Sequence, residues 1–375
     1  MLRFLTVLTV ASMVGLQGWR TLFNNFAVEV AGLDGAQVGV IQSVREIPGF
    51  LALLVVCALL VMREHRLAAG SIVVLGLGVG LTGLAPTYGG LVVTTLVMSL
   101  GFHYYETANQ SLTLQYFGRE AAPLVFGRLR AVAAASNIAV GVAIFLLAPF
   151  LAYRELYLGV GGLVLLAGLW GMAQDPSRQD LPPQRKRMIL RRRYLLYYVL
   201  TFLAGARRQI FIAFSVFLLV KVFRFTVREV TVLFLVNNAV NYFVSPWIGR
   251  AIVRFGERRV LSVEYGGLVV IFLGYAFTSS RWVVTGLYIL DHILFNFSIA
   301  IRTYFQKIGD PEDVAPTMAV GFTINHVAAV VLPAVGGALW MIDYRVPFVA
   351  GAALSLVSLA AIQGIRTPEA PSRTA

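Results

Sequence analysis

Twelve continuous apolar runs follow one another along this chain, each about 20–28 residues long, enough to cross a hydrocarbon core as a tilted helix. They lie near 4–30, 36–62, 67–86, 90–117, 123–150, 153–173, 194–222, 226–253, 259–279, 282–307, 314–342 and 346–364. A backbone in lipid must satisfy its own hydrogen bonds, so runs of this length specify helices. They do not have the ten-residue alternation of a membrane barrel. Of the 375 residues, 58% are hydrophobic and only 13% charged, about half the charge of a soluble domain. The fold class is therefore all-α integral membrane, with twelve transmembrane helices.

The formal net charge is +13. Most basic residues lie in short connections between apolar runs, which is a signal of membrane orientation and not of nucleic-acid binding. One cysteine, Cys57, excludes an internal disulfide. The start, Met1-Leu2-Arg3, resembles a signal peptide. The apolar run outlasts signal length and has no small-x-small cleavage site, so it reads as the first span. The longest connection, about 174–193, holds Pro176, Pro182, Pro183 and the basic triplets Arg185-Lys186-Arg187 and Arg191-Arg192-Arg193. It divides the chain into 1–175, a basic cytoplasmic linker 176–193, and 194–375. Arg63, Arg66, Arg119, the linker, Arg250 to Arg259, Lys307, Arg366 and Arg373 fall on the linker's side. Glu29, Asp34, Arg154, Lys221, Arg224, Arg228, Arg281 and Arg345 fall on the other. The bias places both termini in the cytoplasm of a cell whose inner (plasma) membrane the chain spans.

The two parts repeat. Arg20 and Arg208, Phe23 and Phe211, and Phe26 and Phe214 each stand 188 positions apart, as do Tyr116 and Tyr304 and Asn137 and Asn325. Tyr153-Arg154 recurs as Tyr344-Arg345 after a short slip. Two six-helix bundles of one topology are expected, with a site between them near the midplane. A guanidinium at mid-bilayer costs about 2.5–3.5 kcal/mol on insertion scales, so Arg20 and Arg208 need a partner, water or a ligand. Arginine offers a planar fork that matches carboxylate or phosphate. Either the two form a clamp on an anion, one arm from each half, or Glu106 and Asp291 neutralise them and they only hold helices together.

Six plus six helices, a basic central loop and cytoplasmic termini resemble the major facilitator superfamily. So does Gly249-Arg250-Ala251-Ile252-Val253-Arg254-Phe255-Gly256-Glu257-Arg258-Arg259, which is similar to that family's cytoplasmic loop motif except that Val253 stands where an acid is usual. The first-half counterpart, Arg63-Glu64-His65-Arg66, has no glycines. The resemblance implies that the first, fourth, seventh and tenth helices line a central cavity. It implies an inner gate carrying Arg254, Arg258 and Arg259. The paired arginines are similar in placement to those of organophosphate and phosphate antiporters.

Residues expected around the pathway are Arg20, Arg208, Arg207, Arg45, Tyr105, Asn109 and Asn296. Arg207 points about 100° away from Arg208 on a helix. His103, Glu106 and Gln110 share one face of the fourth helix. Glu106 leads the proton-coupling candidates, with Asp291 and His103, which stand 188 apart. Arg45 and Glu46, adjacent on a helix, are expected on different faces and not to neutralise each other. Pro48-Gly49 reads as a kink. Arg128, Arg130, Arg302 and Lys307 are expected to snorkel to the surface or close an inner gate with Glu120, Asp310 and Glu312. Asn137 and Asn325 read as interhelical hydrogen-bonding groups, and His326 as a solitary structural histidine.

No phosphate-binding loop, metal-ligand spacing or nucleophile elbow stands out, so no cofactor, metal or enzymatic activity is expected. The expected function is secondary active transport of a small anionic organic or phosphorylated solute by a monomer, through alternating access and with proton coupling. The alternatives are proton-driven efflux of a neutral or cationic compound, an intramembrane lipid-modifying enzyme using His103 and Glu106, and a non-transporting sensor. The excess of arginine over acid in the central layer disfavours a cation, and an enzyme would not need a matching arginine in each half.

Overall fold

The fold comes from a computed structural model describing residues 1–366 except 179. Arg373 lies outside the described residues. Among them, the spans are helical and numbered here in chain order. In the first half, α1 is Leu2–Asn25 continued by a π turn, Phe26–Val30. α2 is broken into Gly35–Val44, Ile47–Phe50, a 3-10 turn Leu51–Leu54, and Val55–Val61. α3 is Glu64–Thr82, α4 Tyr88–Tyr116, α5 Ala121–Leu147 and α6 Tyr153–Met172. In the second half, α7 is Leu195–Ile210, a π turn Phe211–Ser215, and Val216–Lys221. α8 is Val227–Phe255 and α9 Glu257–Phe277. α10 is Arg281–Phe295, a 3-10 turn Asn296–Ser298, and Ile299–Ile308. α11 is Val314–Ile342 and α12 Val346–Ile362.

Among the described residues, seven of these segments are long and apolar enough by composition alone to cross a membrane. Four helix starts away from the linker, those of α2, α4, α8 and α10, are capped by side chains. Asp34 and Thr226 form capping boxes with Gln37 and Glu229, and Thr87 and Ser280 accept from backbone N–H groups of the first turn. These caps satisfy donors left free where the chain re-enters lipid.

α3 packs on α4 and α6, and α1 on α5 and α6, around a core centred on Trp19, Tyr105 and Tyr157. α7 packs on α11 and α12, and α9 on α12, around Tyr265, Phe272, Tyr288 and Phe305. Contacts between the halves run through α5 with α8 and through α11 with α2 and α4. Glycines set the first of these. A methyl at Gly127 would sit 2.6 Å from the Ser245 carbonyl oxygen, and one at Gly249 2.5 Å from that of Pro123. Gly249 opens the loop motif, so its place there is fixed by α5–α8 packing. Small residues let backbones approach where hydrophobicity gives helices no reason to associate. Asn137 of α5 donates to Asn238 of α8 at 3.1 Å, in keeping with an interhelical role.

At the linker side the halves close. Gln306 of α10 donates to the carbonyls of Leu114 and Phe117 at the end of α4, both at 2.7 Å. Val55, Val56 and Leu59 of α2 pack with Leu67, Ala315 and Ala319. The linker itself is strapped to the α10–α11 turn. Arg185 reaches Glu312 at 2.9 Å and Asp313 at 3.1 Å; Arg191 reaches Asp313 at 3.0 Å and Asp310 at 3.1 Å; Arg193 pairs with Asp310. The Tyr194 hydroxyl donates to Asp313 at 2.8 Å. Asp310 and Glu312 therefore engage the linker, and not Arg128, Arg130 or Arg302 as expected. Lys307 pairs instead with Glu257, at 2.7 Å.

Candidate functional site

A cavity of about 290 Å³ lies between the halves, lined from α1, α2, α4, α5, α7, α9, α10 and α11. Its size suits a small solute. Arg20 and Arg208 both line it, each placed a few residues before the π turn of its helix. Such turns widen a helix and recur at functional sites. Arg20 is open to the cavity. Arg208 is half-buried, donates to Asn325 Oδ1 at 3.4 Å, and lies 5.8 Å from the Phe295 ring centroid. No ion pair within 4.0 Å reaches either among the described residues; Glu46 acts on both, and Glu106 on Arg208, only over longer distances.

Arg45 also lines the cavity, but it is not free. It reaches Glu46 Oε1 at 2.8 Å through Nη2 and Gln42 Oε1 at 2.7 Å through Nη1. The sequence expectation of different faces fails because α2 stops at Val44 and resumes at Ile47. Across that break the 100° step of a helix no longer separates neighbours. The kink thus begins just ahead of Pro48-Gly49.

Two further arginines correct the expected surface positions. Arg130 and Arg302 line the cavity, half-buried and without an ion pair within 4.0 Å among the described residues. Each lies near an aromatic ring instead, Arg130 at 5.7 Å from Phe295 and Arg302 at 5.8 Å from Phe126. Arg128 is exposed.

Arg207 is buried and takes a separate direction from Arg208. Its Nη2 lies 3.7 Å from Glu264 Oε1, and its guanidinium 3.8 Å from the Tyr265 ring centroid. Asp291 is buried within electrostatic reach of both Arg207 and Glu264. One guanidinium therefore faces two carboxyl groups at the cavity's edge. Arg207 Nε and Nη1, Glu264 Oε2 and Asp291 Oδ2 are buried without a hydrogen-bond partner. Glu264 escaped the sequence reading, although a lone acid within the apolar run 259–279 signals a site.

On α4, Glu106 and Asn109 line the cavity as expected. Glu106 takes part in no hydrogen bond or ion pair among the described residues, and Asn109 Oδ1 is buried without a partner. Tyr105 does not line it. Its hydroxyl bonds Thr9 at 2.8 Å inside the α1–α4 packing, where the ring is fully buried. One position along a helix separates Tyr105 from Glu106 by 100°, enough to turn it into the core. Asn296 is likewise off the cavity, donating to Asn241 at 2.8 Å and to the His292 carbonyl at 3.0 Å. The 3-10 turn at Asn296–Ser298 points it toward α8.

His103 lines the cavity beside His326 of α11, ring centroids 5.2 Å apart and nearly perpendicular. His326 is thus not solitary. Arg254, Arg258 and Arg259 are exposed, and Arg258 donates to Gln363 at 2.7 Å, within the second half.

The family model described as Major Facilitator Superfamily matches residues 4–309. No curated protein matches the sequence. Solved structures are similar over nearly the whole chain. The Escherichia coli fucose:proton symporter FucP is 13% identical with a TM-score of 0.80, covering 98% of this chain and 98% of its own. The human organic anion transporter MFSD10 is 13% identical with a TM-score of 0.76, covering 96% and 98%. A bacterial homologue of the iron transporter ferroportin, in its outward-facing state, is 14% identical with a TM-score of 0.73, covering 96% and 98%. At such identities the likeness is one of fold. The helical spans, the central cavity and a family model matching most of the length lead to one assignment: the chain belongs to the major facilitator superfamily, as a multi-pass secondary transporter that carries a small solute across a lipid bilayer.

Proposed function

We propose that the solute is a small organic or phosphorylated anion, bound between two six-helix bundles, 1–175 and 194–375, that rock about the cavity. The observation that carries this reading is the charge of the lining. Arg45 is committed to Glu46 and Arg207 to Glu264, which leaves Arg20, Arg208, Arg130 and Arg302 facing Glu106. Holding such an excess away from bulk water is costly unless an anion completes it. Guanidinium forks from both halves give a planar anion two-sided contacts. A cation would meet repulsion at the same place.

Protons are the proposed coupling ion. Glu106 stands unpaired among the guanidinium groups, and the Glu264–Asp291 pair has one carboxyl more than Arg207 can balance. The surroundings of both change as the cavity turns from one side to the other, which suits groups that carry a proton across the membrane. The basic linker supports a cytoplasmic location for both termini in the plasma membrane, with the chain acting as a monomer.

The test is a thermal-shift screen of the purified protein with phosphate esters, mono- and dicarboxylates, sulfonates and matched cations, with Arg208→Gln run in parallel. One anion class should raise the melting temperature of the wild type and leave that of the variant unmoved. Stabilisation by cations alone, unchanged in the variant, would overturn the proposal and make the acids the binding groups.

A further inference from the structure

We propose that Glu46, His103 and His326 form a binding site for a divalent transition-metal ion of the Zn²⁺ class, tying α2 and α4 to α11. The residues come from three helices and from both halves of the chain, 280 positions apart at the extremes. One ligand atom from each lies within 4.8 Å of the other two.

The hydrogen bonds around the two histidines orient them as ligands. His103 Nδ1 lies 2.9 Å from the Ser99 carbonyl oxygen, and His326 Nδ1 2.8 Å from that of Phe322. Each carbonyl can only accept, so each Nδ1 carries the proton. Each Nε2 is then left with a lone pair. A backbone carbonyl on the far nitrogen is the usual support of a metal-bound imidazole, fixing both tautomer and ring orientation. Two lone pairs and a carboxylate that converge repel one another until a cation sits among them. Glu46 keeps a ligand free for it, because Arg45 bonds only Oε1, through Nε at 3.2 Å and Nη2 at 2.8 Å. Oε2 is left over.

The chain also makes room. Gly49 lies against both imidazoles: a methyl there would sit 2.5 Å from His326 Cδ2, 2.8 Å from His326 Nε2 and 2.9 Å from His103 Cδ2. Only a residue without a side chain lets the two rings approach with these edges together. A tetrahedral ion with bonds of about 2.0–2.1 Å needs ligand atoms roughly 3.3 Å apart. The three atoms must therefore close by about 1.5 Å at most, within reach of rotation about the side-chain torsions of Glu46, His103 and His326. Two imidazoles and one carboxylate suit Zn²⁺, Co²⁺ or Ni²⁺, and not Ca²⁺ or Mg²⁺, which take oxygen ligands. Arg45, Arg20 and Arg208 nearby oppose a second positive charge, so the site is weaker than a structural zinc site built from thiolates.

The sequence holds four histidines, His65, His103, His292 and His326, which makes the experiment clean. Tag-free, chelator-treated full-length protein in detergent is titrated with Co²⁺ while its visible d–d absorption is followed, and with Zn²⁺ by calorimetry. One ion per chain should bind. His103→Ala and His326→Ala should each weaken binding by at least the ten- to hundredfold that even outer-shell changes cost. The His65→Ala/His292→Ala double variant should bind like wild type. Binding that survives in the His103→Ala/His326→Ala double variant, or no stoichiometric binding at all, overturns the site. If the alanine variants fail to fold, Glu46→Gln keeps both rings and removes only the carboxylate. An unchanged affinity and an unchanged Co²⁺ spectrum in that variant would equally overturn it.

Discussion

Arginine does opposite things at the two ends of this molecule's polar interior. In the linker, Arg185, Arg191 and Arg193 meet Asp310, Glu312 and Asp313 in a closed network, with Asp313 fully buried and also held by Tyr194. In the cavity, Arg20, Arg208, Arg130 and Arg302 have no ion pair within 4.0 Å among the described residues; around them are aromatic rings, an amide, and Glu106 and Glu46 at longer range. The first arrangement is complete and holds structure. The second is incomplete and awaits an anion. Counting partners, and not counting arginines, separates the clasp from the site.

The sharpest break of that comparison lies in the clasp. Asp313→Asn removes the charge that Arg185 and Arg191 share and weakens the bond from Tyr194. Breaking a buried pair from one side costs about 3–5 kcal/mol. The low end applies, because the arginines keep part of their surface in water. Thermal unfolding should show a clear fall in midpoint whether or not a ligand is present. A midpoint within a degree of wild type would mean that the linker is not held by this network.

In the cavity the same kind of change should act in the other direction. Arg130→Gln or Arg302→Gln removes a charged donor with no contact ion pair to break. Unliganded stability should stay level or rise. Anion affinity should fall by roughly ten- to a hundredfold, the worth of one hydrogen bond to a charged group, about 1.5–3 kcal/mol. Titration with the anion found in the thermal-shift screen measures both. If stability falls and affinity does not, these arginines are structural after all.

How much of this could be read from the sequence follows the same division between local and distant. The helical spans are local facts, written in runs of apolar residues, and Arg20 and Arg208 are visible because a charge inside such a run is costly. The break in α2 was half legible: Pro48 and Gly49 announce it, but not that it begins at Arg45 and lets Arg45 meet Glu46. Tyr105 and Asn296 were misread because polarity marks a buried hydrogen bond as readily as a lining position. Arg130 and Arg302 looked like surface residues because they stand near helix ends. Only the tilt and packing of α5 and α10 turn them inward. The meeting of Glu46, His103 and His326 depends on three helices converging, and no spacing in one chain records it.

The smallest expected effect concerns the loop motif, and it sharpens what a partner count means at the surface. Arg258 is exposed, and among the described residues its side chain bonds Gln363 of the same half. Glu257, its buried neighbour, holds Lys307 at 2.7 Å beside the α4–α10 closure, where Arg119 also donates to the Lys307 carbonyl at 3.2 Å. In this chain Glu257, and not Arg258, is tied to the closed end. Arg258→Gln removes an exposed contact and should change the unfolding free energy by less than about 0.5 kcal/mol, the usual range for surface substitutions. Glu257→Gln leaves Lys307 without its charge partner and should lower the midpoint measurably in the same assay. Equal effects from the two would show that the exposed arginine shares in the closure, and that its lone contact in the second half understates its role.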